Sequence, residues 1–285
     1  MWFRIVLGLS AVLLLLLSAS LWATFQLRRS YDREVAARRG LEAATTVLTA
    51  QDLASLPTAV QRYLRNCGVV GQPRVASFRV HFHGRIRSGP DAPWMPFTGV
   101  QDNFIGPAAR HFFMNATLFG LPIVALHRYV DAHATMRVRP LGLFPVVDAA
   151  GPVMDQAETV TLFNDMCLLA PVTLVDPAIR WDASPDSSEV RATFTNAGHT
   201  IAATLRFDEA GDLVDFVSDD RSAGSADGRS FTRMRWSTPV AGFRTYGPFR
   251  LFATAEARWH PAAGEFVYLE FEPLSVTYNV GPQRR

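Results

Sequence analysis

From Arg74 onward, apolar and polar side chains exchange places at every second position. Across residues 74–87, Phe78, Val80, Phe82 and Ile86 fall on one side and Arg79, His81, His83, Arg85 and Arg87 on the other. Such a period marks a strand with one buried face, and here the second face is basic. Comparable runs recur at 99–105, 110–119, 123–131, 133–139, 189–195, 199–207, 213–218, 229–237, 251–260 and 265–278. The sequence from Phe207 to Asp212, with Asp208 and Gly211, predicts a hairpin turn between two of them. Helical segments rarely separate these runs, which favours an antiparallel meander over βαβ units. The clear interruption is residues 155–169, where Val160, Leu162, Phe163, Met166, Cys167 and Leu169 recur at helical spacing before Pro171. The expected fold class is α+β: a curved, mostly antiparallel, half-barrel-like sheet packed on one central helix.

The N-terminal pattern is different. Residues 5–25 carry no charged side chain and include five consecutive leucines, Leu13 to Leu17. At about 1.5 Å per helical residue this stretch reaches roughly 30 Å, the thickness of a bilayer's hydrocarbon core. Arg4 and the small residues Ser18, Ala19 and Ser20 fit a cleaved signal peptide. The apolar run continues past them through Leu21, Trp22 and Phe25, and Trp2 and Trp22 stand near its two ends, which favours a retained transmembrane helix. The expected location is therefore the bacterial inner membrane, with a single N-terminal pass. Arg28, Arg29, Arg33, Arg38 and Arg39 argue for a cytoplasmic domain, whereas single N-terminal anchors often hold domains outside, so the side stays undecided. Residues 28–40 and 41–54 are expected to be helical. Pro57 opens a short amphipathic helix over 57–66, with Val60, Tyr63 and Leu64 on one side and Gly68 as its stop. The expected division is 1–27 anchor, 28–72 helical neck and 73–285 β-rich domain.

Composition narrows the chemistry. All 28 basic residues are arginine, so Schiff-base, P-loop and kinase lysines are excluded, and the net charge of +2 does not point to nucleic acid. Twenty Phe and 6 Trp supply a large core. Cys67 and Cys167 are too few for a structural zinc site; they are two buried thiols or, in an oxidising compartment, a disulfide. His81 and His83 share a strand face and could hold a metal with Asp131, His133 or Glu256, but Arg79 and Arg85 would repel a dication. Glu270 and Glu272 could instead pair with that basic strand if the first and last strands meet, at roughly 0.2–1 kcal/mol per pair. Asp165, beside Asn164 in the apolar helix, must be paired or neutral if buried; Arg180, Arg221 and Arg244 are its candidate partners, and a general acid–base role is the alternative. No hydrolase elbow, dinucleotide fingerprint or P-loop occurs, and no cofactor is expected.

Several landmarks taken together resemble an uncharacterised bacterial family, a domain of unknown function, over about residues 50–280. They include Leu56 and Pro57 with Arg62, Tyr63 and Leu64; Trp94 with Phe97; Asn164 and Asp165 with Pro171; Ile179, Arg180 and Trp181; Asp220 and Arg221; Phe243 and Arg244 with Gly247; and Tyr278 with Asn279. The resemblance implies no known reaction, and its shape is similar to the half-barrels of lipoprotein carriers. A curved sheet around a helix tends to leave an apolar cleft. The expected function is a non-catalytic binder of a lipid or other hydrophobic ligand, lined by Phe113, Phe163, Met166 and Trp181. A membrane scaffold, or a hydrolase using His81, His83 or Asp165, are the alternatives.

Overall fold

The computed structural model describes residues 2–39, 46–182, 188–225 and 227–281. After helix α1 (Trp2–Arg38) and the short helix α2 (Thr58–Asn66), six strands follow as a meander: β1 (Ser77–Ile86), β2 (Met95–Phe104), β3 (Ala109–Leu118), β4 (Leu121–Val130), β5 (His133–Pro140) and β6 (Val147–Ala150). Helix α3 (Pro152–Leu169) then leads to β7 (Ile179–Trp181), β8 (Glu189–Asn196), β9 (His199–Phe207) and β10 (Leu213–Ser218). A small hairpin, β11 (Ser222–Gly224) with β12 (Phe231–Arg233), precedes β13 (Trp236–Ser237), β14 (Val240–Tyr246), β15 (Phe249–Trp259) and β16 (Phe266–Tyr278). The main sheet is curved and antiparallel, in the order β6-β5-β4-β3-β2-β1-β16-β15-β13-β10-β9-β8-β7, with β14 added on β15.

The first and last long strands do meet. Phe78 pairs with Tyr278 and Ile86 with Leu269, with one irregularity between His81 and Phe82. Arg85 grips Glu270 at 2.6 Å and His83 lies 3.7 Å from Glu272. These pairs are exposed and contribute little. The register is set by Phe78, Val80 and Phe82, buried on the opposite face, because a slip of one residue would turn all three to water.

Helix α3 runs from one edge strand, β6, towards the other, β7, and fills the concave side between them. It follows Gly151, carries Pro152 in its first turn, and ends before Pro171. Its buried residues occupy every turn, from Met154 to Leu169, so it has no wetted face. Phe163 stacks on Phe194 at 5.4 Å and meets Phe216 edge-on at 5.6 Å. The helix touches strands of both halves, among them β5, β6, β8, β9, β10 and β15.

Helix α2 matches its expected span: Val60, Tyr63 and Leu64 are buried and Gly68 sits at φ +76°. Helix over 41–54 is corrected where it can be seen. Residues 40–45 lie outside the described residues, and only Gln51–Leu53 forms a 3-10 turn. There the backbone is claimed by other partners: Val47 bridges Pro73, and Asp52 accepts from the Thr49 amide at 2.7 Å. The run 229–237 is two strands, since β12 leaves the sheet to pair with β11 while β13 stays between β10 and β15.

The second half of α1 lies flat on the convex face. Tyr31 and Val35 are buried with Val100, Phe104, Phe113, Val124 and Leu126. The Tyr31 hydroxyl donates to Asp102, whose carboxylate also takes Arg79 at 2.9 Å and Arg39 at 3.3 Å. Glu34 receives Arg128 at 2.7 Å, and Arg38 reaches Asp131 at 2.8 Å.

Candidate functional site

Strand alternation decides what faces the concave side. Cross-strand pairing places Arg110, Tyr129 and Ala134 in one row across β3, β4 and β5. The next rows are Phe112, His127 and Met136; then Met114, Ala125 and Val138; then Ala116, Ile123 and Pro140. The first row is fully buried at the α3 end. Beyond it Phe112, Ala125, Met136, Val138 and Ile123 are only half-buried, while still packed on the core, and Met114 and Ala116 of β3 stay buried. The inner face thus passes from closed to half-open along the strands. Phe231 of β12 packs on the same core. At the hairpin tip Gly228 lies so close to β6 that a Cβ there would stand 2.7 Å from a Val147 methyl. The β11–β12 hairpin therefore bridges from the C-terminal half of the sheet to its β6 edge.

A buried polar network closes the α3 end. Arg110 donates to Asp165 at 2.9 Å, to Glu158 at 3.0 Å and to the Gln101 side-chain oxygen at 2.8 Å. Gln101 and Asn103 also donate to Asp165, at 2.8 and 2.9 Å, and His127 Nε2 lies 2.9 Å from Glu158. Burial pushes the Glu158 carboxyl up, but His127 and Arg110 outweigh it and hold the group well below the usual carboxylate range. For Asp165 burial prevails over Arg110 and the carboxyl is pushed up. This arrangement clamps α3 to β2, β3 and β4.

Asp165 is paired by Arg110, not by any of its three expected partners. Arg180 and Arg244 are exposed, and Arg221 lies over the Trp236 ring at 4.1 Å. His81 and His83 stand on the convex face and Asp165 on the other, so the histidines and the carboxylate do not share a site. Asp131 is taken by Arg38, His133 lies 3.6 Å from Asp155, and Glu256 holds Arg258. Among the described residues no group of three His, Cys, Asp or Glu could hold a metal. Cys67 and Cys167 are both buried free thiols. A convex groove of about 510 Å³ beside His83 is lined by charges that already pair, Arg85 with Glu270 and Arg258 with Glu256.

Of the four expected lining residues, two are in contact. Phe163 and Trp181 are 6.3 Å apart between ring centres, and Met166 is buried on the same helix. Phe113 does not join them. With Arg110 and Phe112 facing inward, alternation turns Phe113 outward, where its ring meets Tyr31 at 5.8 Å. Ile123, Met136 and Val138 were not among the expected lining residues. Their signal was present in the alternation of Met136 and Val138 with Arg137 and Arg139.

The contact of α1 with the sheet is expected to weaken at low pH. His111 is fully buried beneath it, near Tyr31 and Phe104. Burial pushes this imidazole from 6.5 down to about 4, although Glu34 pulls it upward. Between those values a detached state takes up a proton that the docked state refuses, so docking is strongest above pH 6.5 and weakens as pH falls towards 4. Hydrogen exchange across residues 28–38 should quicken over that window in the wild type. In His111→Phe the acceleration should be flattened.

No curated protein sequence matches this chain. The model of a family of unknown function, DUF6544, matches residues 46–271. The chain belongs to the DUF6544 family. That match begins after α1 and runs into β16, covering the stretch that carried the resemblance read from the sequence except its last landmarks, Tyr278 and Asn279. Among solved structures the DUF6544 chain is similar to a DUF1329 family protein from Desulfovibrio piger, at 10% identity and TM-score 0.42, over 73% of this chain and 87% of that one. It is also similar to a LolA superfamily protein from Nitrosomonas europaea, at 10% identity and TM-score 0.36, over 81% and 94%.

Proposed function

We propose that this protein is a membrane-tethered, non-catalytic binder of a lipid or comparable long apolar ligand, held against the half-open inner face of β3, β4 and β5. The observation that carries the reading is the set of half-buried apolar side chains Phe112, Ala125, Met136, Val138 and Ile123, beside and beyond the contact of His127 with Glu158 of α3, which the β11–β12 hairpin faces. An acyl chain burying about 300 Å² there would gain roughly 7 kcal/mol before association costs. Phe163 packs away from this surface, against Trp181 of β7, Phe194 of β8 and Phe216 of β10. The tether is α1, the one described helix long and apolar enough to cross a membrane.

The test uses the full chain in nanodiscs containing a phospholipid with a photoreactive diazirine in its acyl chain. Adducts mapped by mass spectrometry should include peptides bearing Phe112, Met136 and Val138. The double variant Met136→Glu, Val138→Glu should lower those adducts about tenfold or more, because acyl carbons do not solvate carboxylates. Adducts confined to α1 would refute the inner-face site.

A further inference from the structure

We infer that the β3–β4 and β5–β6 turns form a second membrane contact, seated in the interface of the leaflet from which α1 emerges. The inference rests on α1 crossing the bilayer. Ser20 of α1 donates to the Leu141 carbonyl at 2.7 Å, and a Cβ at Gly142 would stand 2.6 Å from the Thr24 hydroxyl. Both α1 residues belong to the uncharged stretch 5–25. The β5–β6 turn is thereby fixed at the level of the last turns of the span.

The neighbouring turn has the same character. Residues 118–126 and 140–147 contain no charged side chain, and at their tips Phe119 is 86% exposed, Leu121 58% and Phe144 58%. Leu118 pairs directly with Leu121, leaving a two-residue turn of Phe119 at φ +50° and Gly120 at φ +81°. Such turns favour Asn, Asp or Gly, and a large apolar residue at positive φ is an outlier. Leu141 repeats it at φ +55°. A strained position that holds an aromatic ring out in water loses on both counts; seated among lipid headgroups and upper acyl carbons, the ring recovers the hydrophobic term.

Charge sits one step further from the bilayer. Arg128, Arg137 and Arg139 line a small cleft with Leu27 and Ser30 of α1. Arg128 is held by Glu34 and Arg137 by Asp148, whereas the Arg139 Nε is buried without a hydrogen-bond partner. Arg28 and Arg29 stand at the same height on the helix, just beyond the apolar stretch. An apolar layer followed by arginines matches acyl carbons followed by lipid phosphates, and Arg139 is the side chain left free for a phosphodiester. The last apolar rows, at Ile123 and Val138, run straight into these turns, so the inner face opens towards lipid.

The test uses the full chain in phosphatidylcholine vesicles containing an anionic lipid and acyl-chain nitroxides. Single cysteines for an environment-sensitive fluorophore are placed at Phe119→Cys, Phe144→Cys, Leu14→Cys and Glu209→Cys; Cys67 and Cys167 are buried. Position 209 lies in the β9–β10 turn, at the other end of the strands. Labels at 119, 144 and 14 should shift to the blue and be quenched, and the label at 209 should do neither. Arg139→Gln should lower the quenched fraction at 144. Quenching at 14 with water-like spectra at 119 and 144 would overturn the second contact and leave the tether standing. An unquenched label at 14 would overturn both. An unchanged Arg139→Gln would remove that arginine from the contact.

Discussion

Replacing Arg110 with methionine is expected to destabilise the fold by about 3–5 kcal/mol, since it strips the shared partner from two buried carboxylates. Arg110, Glu158 and Asp165 are each almost wholly buried, and the guanidinium bonds both acids. Without it, Asp165 keeps only Gln101 and Asn103, and Glu158 keeps only His127. For a domain of this size the loss corresponds to a melting shift of about 6–20 °C. The cause can be separated from simple loss of volume. Adding Asp165→Asn and Glu158→Gln to Arg110→Met removes the stranded charges and should restore most of the stability, because neutral replacements for a buried ion network are often tolerated. A single variant that melts within a degree or two of the wild type would show that the clamp is not a structural keystone.

Truncating Phe163 to alanine is expected to cost about 3–5 kcal/mol, by transfer and cavity terms together. Its ring is fully buried among Phe194, Phe216 and Trp181, and it stands midway along the helix that both halves of the sheet enclose. Urea unfolding followed by tryptophan fluorescence measures it, and Phe163→Leu should lose clearly less. The comparison with Phe113→Ala is informative, since that ring lies in the separate convex cluster under α1. Phe113→Ala should speed hydrogen exchange in residues 28–38 while leaving α3 protected. Equal exposure of both helices in both variants would contradict two independent clusters.

The strands most legible in the sequence were those with one wet and one dry face, such as β1, where Phe78, Val80 and Phe82 alternate with Arg79, His81 and His83. Their pairing with the Glu270 and Glu272 strand could also be anticipated, because opposite charges lie at matching spacing. Short strands were not legible. Strands β6, β7 and β11 have three or four residues each, too few for a period to emerge, and β14 buries only Val240 and Tyr246 at its two ends. The candidate site was harder still. The sequence marks Phe112 and Phe113 as adjacent aromatics but does not say which one faces inward; that depends on the register against β4 and on Arg110 claiming the helix side. The partner of Asp165 was equally hidden, since Arg110 precedes it by 55 positions and reads locally as one more charge at the start of a strand.

The seam between β1 and β16 has a consequence for how the protein is made. The middle of the sheet is stitched by residues about as distant in the sequence as the domain allows, Phe78 with Tyr278. While the ribosome still holds the C-terminal part, the β1–β6 segment is already synthesised, and β1, paired with β2 on one side, has its other edge open until β16 arrives. Bonds of such long sequence separation form slowly, and naked edges recruit other chains. The nascent polypeptide therefore passes through an interval in which its most vulnerable surface is the very line that later becomes its centre, and synthesis of the last strand ends that interval.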